Sequence, residues 1–218
     1  MSRNIKEREW VLTEEQKCLL LGSILGDVSV EKNGENCRVR FDHSIRQKEY
    51  TLWKHSLMKP FSCKYTFYST GPHEKTGNIS KKIRFSTRTL PVFNWYRTTF
   101  YPLGKKIVPP TIKELFKEPF SLLIWFLDDG SIRNDSFAFR LHTNSFNEDD
   151  QQLLQEMLSE NFGIQSTLQT QDKSKVIAIG ATNGQSKKFY DIVEPIIREK
   201  IPSMGYKVYN EFSKPCND

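Results

Sequence analysis

The apolar positions of the chain form two short continuous runs, with amphipathic segments after each of them. The runs are Leu20–Asp27 and Leu122–Gly130, and an aspartate lies near the end of each, at Asp27 and Asp129. A segment that is apolar on all sides predicts a buried helix. The C-terminus of a helix carries partial negative charge, so a carboxylate there is disfavoured by roughly 0.3–1 kcal/mol. Two such aspartates, 102 residues apart, indicate that a positive group, first of all a metal ion, lies beside them.

The segments after each run follow the same order, which indicates an internal repeat. A hairpin-like stretch of two strands follows each run and ends in matched tetrads, Arg40–His43 and Arg140–Thr143, which begin 100 residues apart. Apolar residues at i, i+3 and i+4 or similar spacing predict amphipathic helices. These helices are expected at Gln47–Leu57, Pro91–Phe100, Glu148–Leu158 and Ser186–Lys200. Alternating segments predict strands at Cys63–Tyr68, Ile83–Thr87, Ile164–Gln169 and Val176–Ile179.

Each half therefore reads helix, strand, strand, helix, strand, strand, helix, which predicts an α+β fold made of two pseudo-symmetric αββαββα halves. The halves are expected at residues 13–108 and 119–210. A proline-rich linker at residues 109–118 would join them.

Each half closes with a short basic signature, at Gly104–Ile107 and Gly205–Val208. Lys106 follows Asp27 by 79 residues, and Lys207 follows Asp129 by 78 residues. This register predicts that each lysine lies near the aspartate of its own half. Lys105 is an alternative to Lys106 in the first half.

Charge and composition narrow the class of partner. Residues 1–110 hold 20 Lys and Arg against 10 Asp and Glu, whereas residues 111–218 hold 12 against 16. A basic first half suits a polyanion such as DNA or RNA, although ordinary solubility also explains it. No apolar run reaches the ~18 residues of a transmembrane helix, and residues 1–10 lack the apolar stretch of a signal peptide. The spacing of the four cysteines favours free thiols.

The two runs resemble the motifs of the LAGLIDADG homing endonucleases, in the branch that carries two motifs in one chain and is typical of mitochondrial introns. Trp125–Gly130 and Lys105–Pro109 are the most specific parts, and the resemblance extends over roughly residues 13–208. It implies that the two motif helices pack side by side, with their aspartates meeting at the base. Gly22 and Gly26 allow a close approach there, but the second run has Ile124 and Asp128 instead, so asymmetric packing is expected.

The resemblance also implies a reaction, the hydrolysis of DNA phosphodiesters with Mg²⁺ or Mn²⁺. Asp27 and Asp129 would each serve one strand, and the backbone carbonyls of Gly26 and Asp128 would complete the metal shell. Lys106 and Lys207 would polarise water or stabilise the phosphorane. Three further residues are expected to order solvent nearby: Asp42, His142 and Asn144. The four histidines show no metal-site spacing. For His43 an ordinary structural role is preferred, and a groove contact is the alternative.

A twisted antiparallel sheet can lie along the major groove with alternate side chains facing the bases, so polar strand residues are candidate DNA contacts. In the first half these are Arg38, Arg40, Tyr65, Lys81, Arg84 and Arg88. In the second half they are Arg133, Arg140, Gln165, Gln169, Lys173 and Lys175.

The leading hypothesis is a monomeric, site-specific endonuclease that cuts both strands of a long, nearly asymmetric DNA site, with no membrane partner. An organellar location follows if an intron there encodes it. The alternative is an intron RNA maturase on the same fold, which binds RNA and cuts no DNA. Loss of a motif aspartate would favour the maturase, and here both aspartates are present. A regulatory DNA-binding domain is a third hypothesis that nothing in the chain requires.

Overall fold

The computed structural model describes residues 10–72, 77–171 and 174–209. Its elements follow the predicted order, with a short additional helix between the halves. The first half contains α1 (Glu14–Leu25), β1 (Ser29–Asn33), β2 (Asn36–Ser44), α2 (Lys48–Leu57), β3 (Thr66–Ser69), β4 (Lys81–Ser86) and α3 (Asn94–Phe100). The short helix is α4 (Ile112–Leu115). The second half contains α5 (Pro119–Asp129), β5 (Gly130–Ile132), β6 (Phe139–Leu141), α6 (Glu148–Phe162), β7 (Thr167–Gln171), β8 (Ser174–Ile179) and α7 (Gln185–Lys200).

Within the described residues, the strands form two four-stranded antiparallel sheets of identical topology. Their strand orders are β1-β2-β4-β3 and β5-β6-β8-β7. Along β2 the side chains alternate, with Val39 and Phe41 buried and Arg38 and Arg40 on the open face. The predicted α+β fold with two pseudo-symmetric halves is confirmed.

Element ends differ from the sequence-based bounds by a few residues. β3 starts at Thr66, three residues later than predicted, because Ser62 and Cys63 contact the end of β4 only through an isolated bridge and one hydrogen bond. α6 runs on to Phe162, because Phe162 continues the apolar spacing of Leu154 and Leu158.

The motif helices α1 and α5 pack closely, and the packing is asymmetric as expected. A Cβ placed on Gly22 would lie 2.4 Å from the Ser121 carbonyl oxygen and 2.7 Å from Ile124 Cβ. One placed on Gly26 would lie 2.5 Å from Asp128 Cβ. The two glycines of α1 therefore provide the space that Ile124 and Asp128 occupy.

The predicted linker is a packed part of the fold. Ile112 and Phe116 are fully buried, and Phe116 packs edge-on against Trp125 at a centroid distance of 6.0 Å. In the described part of the chain, the buried apolar residues of both halves form one continuous cluster. Cys18, Cys37 and Cys63 are free thiols, as expected. Among the described residues, no helix combines the length and the apolar character that a membrane span requires.

Candidate active site

The two motif aspartates lie where α1 and α5 end, and they share one electrostatic environment. Asp27 is exposed, just after the C-cap Gly26, and Asp129 is the partly buried last residue of α5. Burial raises the pKa of Asp129 to about 7, together with the negative charges of Asp27 and Asp128. Two carboxylates that resist being ionised together form a place where a divalent cation is favourable.

Each motif helix end also holds a lysine from its own half. Lys106 Nζ donates to the carbonyl oxygens of Ile24 at 2.9 Å and Gly26 at 2.8 Å. Lys207 Nζ donates to the Gly130 carbonyl oxygen at 2.7 Å. Burial lowers the pKa of both ammonium groups. The matching sequence spacing from aspartate to lysine thus corresponds to the same contact in both halves. In each half, a lysine ammonium group binds the negative C-terminal end of the motif helix.

The two lysines of the first basic signature, Lys105 and Lys106, differ in their burial. Lys105 is exposed, whereas Lys106 is partly buried against the end of α1. Lys106 is therefore the candidate site residue.

The side chains at this site fit a hard divalent cation that keeps water and phosphate ligands. Asp27 and Asp129 offer carboxylate oxygens. The Gly26 carbonyl oxygen, the other predicted ligand of the first half, also accepts a hydrogen bond from Lys106. Within the described ranges, no group of three or more His, Cys, Asp or Glu is arranged to hold a metal by itself. Mg²⁺ is commonly held by one or two carboxylates together with substrate phosphates and water, which matches this donor set.

The Asp128 carboxylate is already bound within the protein, so only its backbone carbonyl is left as the predicted ligand. Its oxygens accept bonds from Lys54 Nζ at 2.6 and 2.8 Å, and Oδ1 also accepts from the Tyr50 hydroxyl at 2.7 Å. All three side chains are buried. Burial lowers the pKa of Lys54 despite the opposing effect of Asp128, and burial raises the pKa of Tyr50.

His43 connects this ion pair to the first motif aspartate. Its Nε2 lies 3.5 Å from Lys54 Nζ, and its Nδ1 lies 3.5 Å from Asp27 Oδ2. Burial raises the pKa of Asp27, but the interaction with His43 and the attraction of Lys54 and Lys207 outweigh it, so the net shift is downward. The alternative of a groove contact for His43 is ruled out, because His43 is buried on the core side of β2.

Sequence reasoning missed Tyr50 and Lys54, although α2 carries a signal for them. They lie four positions apart on the apolar, inward face of that helix. A lysine at an inward position needs a buried partner, and Asp128 is that partner.

A family model described as the LAGLIDADG DNA endonuclease family matches residues 17–189. The chain belongs to this family.

Similar proteins include an mRNA maturase and DNA endonucleases. The chain is 31% identical over 208 residues to the cytochrome b mRNA maturase bI2 of Debaryomyces hansenii, covering 91% of this chain and 75% of the relative. It is 27% identical over 212 residues to the DNA endonuclease I-ChuI of Chlamydomonas applanata, covering 90% and 95% of the two chains. The solved structure of the homing endonuclease I-WcaI bound to its DNA recognition sequence has the same fold, with a TM-score of 0.82, 24% identity and coverage of 97% and 96%.

In this LAGLIDADG chain, the open face of the first sheet carries the predicted arginines, paired with acids. Glu31 bridges Arg38 at 3.0 Å and Arg40 at 2.5 Å. Asp42 accepts from Arg84 at 2.6 Å. Asp42 therefore faces away from Asp27, contrary to prediction, because it alternates with the inward-facing His43 along β2.

Three other predicted contacts of the first half lie elsewhere. The strand alternation places Lys82, not Lys81, on the face shared with Arg84. Tyr65 lies on the opposite, helix-facing side, where its ring packs edge-on against His55 at a centroid distance of 5.6 Å. Arg88 lies beyond the end of β4, over the Trp10 ring.

The second sheet of the LAGLIDADG fold presents a less basic open face. The cross-strand pairs place Arg140 and Gln169 on it, whereas Arg133, just beyond β5, is paired with Asp135. His142 lies two residues after Arg140, on the same side of the chain, and its Nε2 is 2.9 Å from Ser131 Oγ. Its backbone N–H donates to the Asp129 carbonyl oxygen at 2.8 Å, so it lies close to the second site, where burial and repulsion from Lys207 lower its pKa.

The remaining predicted residues of the second half are not on this face. Lys175 Nζ binds Glu148 of α6 at 2.8 Å, and Gln165 donates to Ser159 of α6 at 2.8 Å, so both predicted DNA contacts lie on the helix side. Asn144 is exposed and donates to Ser174 at 2.6 Å, away from the aspartates. Lys173 lies outside the described residues.

Proposed function

We propose that the chain is a metal-dependent, site-specific endonuclease that cuts both strands of DNA. The observation that carries this proposal is the pair Asp27 and Asp129, at adjoining ends of two packed helices, each end also bound by a partly buried lysine. Membership of the LAGLIDADG DNA endonuclease family supports it, as does similarity to the DNA endonuclease I-ChuI.

Asp27 and Asp129 would hold the divalent cation, Mg²⁺ or Mn²⁺, with the carbonyls of Gly26 and Asp128 as further ligands. When bound, such a cation acidifies a water molecule and neutralises the leaving oxygen. Hydrogen bonds to backbone carbonyl oxygens fix the positions of Lys106 and Lys207. Their positive charges would therefore stabilise the negative charge that develops on the phosphate oxygens during the reaction. Each aspartate would serve one DNA strand.

The open faces of the two sheets would contact the DNA. Arg38, Arg40 and Arg84 can exchange their carboxylate partners for phosphates, because partly exposed ion pairs contribute only about 0–1 kcal/mol. The less basic face with Arg140 and Gln169 would read a different half-site, which favours a long, asymmetric target bound by a monomer. An organellar location of the protein stays a prediction.

One observation favours a second function, intron RNA splicing. A relative 31% identical to this chain is a cytochrome b mRNA maturase. Both motif aspartates and both lysines are present here, and a protein that only binds RNA has no need of them. The nuclease is therefore the preferred proposal.

The deciding experiment is Mg²⁺-dependent cleavage of a DNA library by the wild-type chain and by Asp27→Asn and Asp129→Asn. Each variant is expected to lose cutting of at least one strand, leaving nicked or intact product. Asp191→Asn, on the exposed surface of α7, is the matched control and should cut normally. Full double-strand cleavage by either site variant would contradict the assigned roles. RNA binding without cleavage of DNA under Mg²⁺ or Mn²⁺ would identify a maturase.

A further inference from the structure

We propose that Lys54 is a positioning residue for the Asp27 site, acting through His43, and that this makes the two sites unequal. Lys54 holds the His43 ring so that its Nδ1–H faces the Asp27 carboxylate. The consequence for cleavage rests on the proposed endonuclease function.

The contacts of Lys54 determine which His43 nitrogen carries the proton. The ammonium is bound by Asp128 at 2.6 and 2.8 Å and by Ser23 Oγ at 2.9 Å, and it faces His43 Nε2 at 3.5 Å. An ammonium group can only donate, so the nitrogen that faces it is the acceptor, and the proton lies on Nδ1. Nδ1 then carries the hydrogen and lies 3.5 Å from Asp27 Oδ2, too far for a formed hydrogen bond in this structure. In the absence of substrate such bonds are often long, and they shorten when the reactive complex forms.

The ion pair is hard to explain by stability alone. Lys54 and Asp128 have fully buried side chains, and removing two charges from water costs several kcal/mol per ion. Apolar residues of similar volume often serve stability equally well or better. The Tyr50 ring, 4.4 Å from Lys54 Nζ, and the Tyr50 hydroxyl on Asp128 complete an enclosure that holds both charges in one geometry.

The second half supplies an internal comparison, because it lacks the network. One hundred residues after Lys54 lies Leu154, which is fully buried, and Thr143 takes the place of His43. In the motif helices, Gly26 of α1 stands where α5 has Asp128. The same fold is therefore built at this position with an apolar residue. His142, near the second aspartate, contacts Ser131 and not a buried ion pair, so the histidine held by a lysine belongs to the Asp27 site.

The first test reads the His43 tautomer directly and needs no DNA. ¹⁵N NMR of the histidine-labelled full chain at one fixed pH, with His43→Gln to assign the signals, is expected to show protonated Nδ1 and unprotonated Nε2. Lys54→Met should shift His43 towards the Nε2–H form. Because that variant leaves Asp128 unpaired, Lys54→Met with Asp128→Asn removes both charges and should give the same shift in a folded protein. Leu154→Met, the matched change in the second half, should leave the His43 signals unchanged.

The second test measures the two strands separately. With strand-specific labels, the strand slowed by Asp27→Asn is expected to slow about 10- to 100-fold in the Lys54→Met and Asp128→Asn double variant, the usual range for losing a residue that orients a metal ligand. The other strand, served by Asp129, should slow by less than the Asp27 strand, because the variant removes the Asp128 charge near Asp129 but keeps the Asp128 backbone carbonyl. DNA affinity should be unchanged, so the effect falls on the cleavage rate and not on KM.

Retention of the Nδ1–H tautomer in the folded double variant, or equal slowing of both strands, would overturn the proposal. A wild-type chain that cuts no DNA would instead refute the endonuclease function. In that case the NMR result alone decides whether Lys54 positions His43.

Discussion

Asp27 and Asp129 occupy matching positions in the repeat, but their surroundings shift their pKa values in opposite directions. His43 and the nearby lysines outweigh burial at Asp27 and lower its pKa, whereas burial and the neighbouring acids raise the pKa of Asp129 to about 7. His43, whose counterpart in the repeat is Thr143, contributes to the difference on the Asp27 side, and the Asp27 and Asp128 charges contribute on the Asp129 side. At the scale of single residues, the two sites are therefore electrostatically different.

The raised pKa of Asp129 predicts a pH-dependent cost to the metal-free fold. Between the ordinary value of 3.8 and about 7, the folded chain keeps a proton that the unfolded chain has released, so stability is lost as pH rises through this window. Asp129→Asn removes that cost. Its Tm advantage over wild type in EDTA should grow by at least about 2 °C from pH 5 to pH 8, as expected for roughly 1 kcal/mol in a chain of this size.

Asp27→Asn is the matched comparison, with the opposite sign. The lowered pKa of Asp27 stabilises the fold above pH 3.8, so this variant should have a lower Tm than wild type at pH 5, where Asp129 still keeps its proton. An equal effect of Asp129→Asn on Tm at pH 5 and pH 8 would refute the inferred shift.

At the scale of the elements, the contact between α1 and α5 depends on glycine. Gly22→Ala is expected to destabilise the fold by about 1–3 kcal/mol, because the added Cβ meets the backbone carbonyl of Ser121 at 2.4 Å. The helix-propensity gain of alanine, at most about 1 kcal/mol, is too small to offset it. Urea denaturation measures the difference.

Gly180→Ala is the control for this substitution, since a Cβ there has no neighbour within 4 Å and the backbone is not in the left-handed region. It should change the free energy of unfolding by less than about 0.5 kcal/mol. Equal stability of the Gly22 and Gly180 variants would show that the motif helices separate at little cost.

Charged side chains on the open face of each sheet are available to DNA, whereas those on the other face lie against the helices. Lys82→Ala removes a positive charge from the open face of the first sheet, so DNA affinity should fall and the salt dependence of binding should weaken by about one unit of slope. Lys175→Ala, on the helix side of the second sheet and bound to Glu148, is the matched control and should bind DNA like wild type. Binding titrations from low to high salt distinguish the two, and loss of affinity in the Lys175 variant alone would reverse the assigned faces.

At the scale of the whole molecule, the two halves share one core. The segment between them contributes Phe116, which packs against Trp125 of α5 and Phe162 of α6. The chain is therefore expected to unfold as one cooperative unit, although its sequence is written as two repeats.

Phe116→Ala tests this cooperativity. Removal of a fully buried phenylalanine should cost about 3–5 kcal/mol, and circular dichroism and tryptophan fluorescence should still report one coincident transition. Leu103→Ala, at a position that is 95% exposed, should leave stability nearly unchanged. Two separate transitions in the Phe116 variant would mean that the halves fold independently.

The sequence by itself determined the order of elements, the two motif helices, and the choice of Lys207 and the Lys105–Lys106 pair. These are local or periodic features, since apolar spacing and a repeat offset of about 100 residues are visible along the chain. Strand faces were only partly predictable. Lys81 and Tyr65 were misplaced because an error of one residue in a strand moves a side chain to the other face.

Only the tertiary structure decided the surroundings of the aspartates. Lys54 and Asp128 are 74 residues apart, and no periodicity relates them, because the pair crosses from one half of the repeat to the other. Asp42 and His43 are neighbours in sequence, yet one binds Arg84 on the open face and the other approaches Asp27 on the buried face. Partner choice between distant side chains depends on how the halves pack, and that packing is asymmetric where Gly26 faces Asp128.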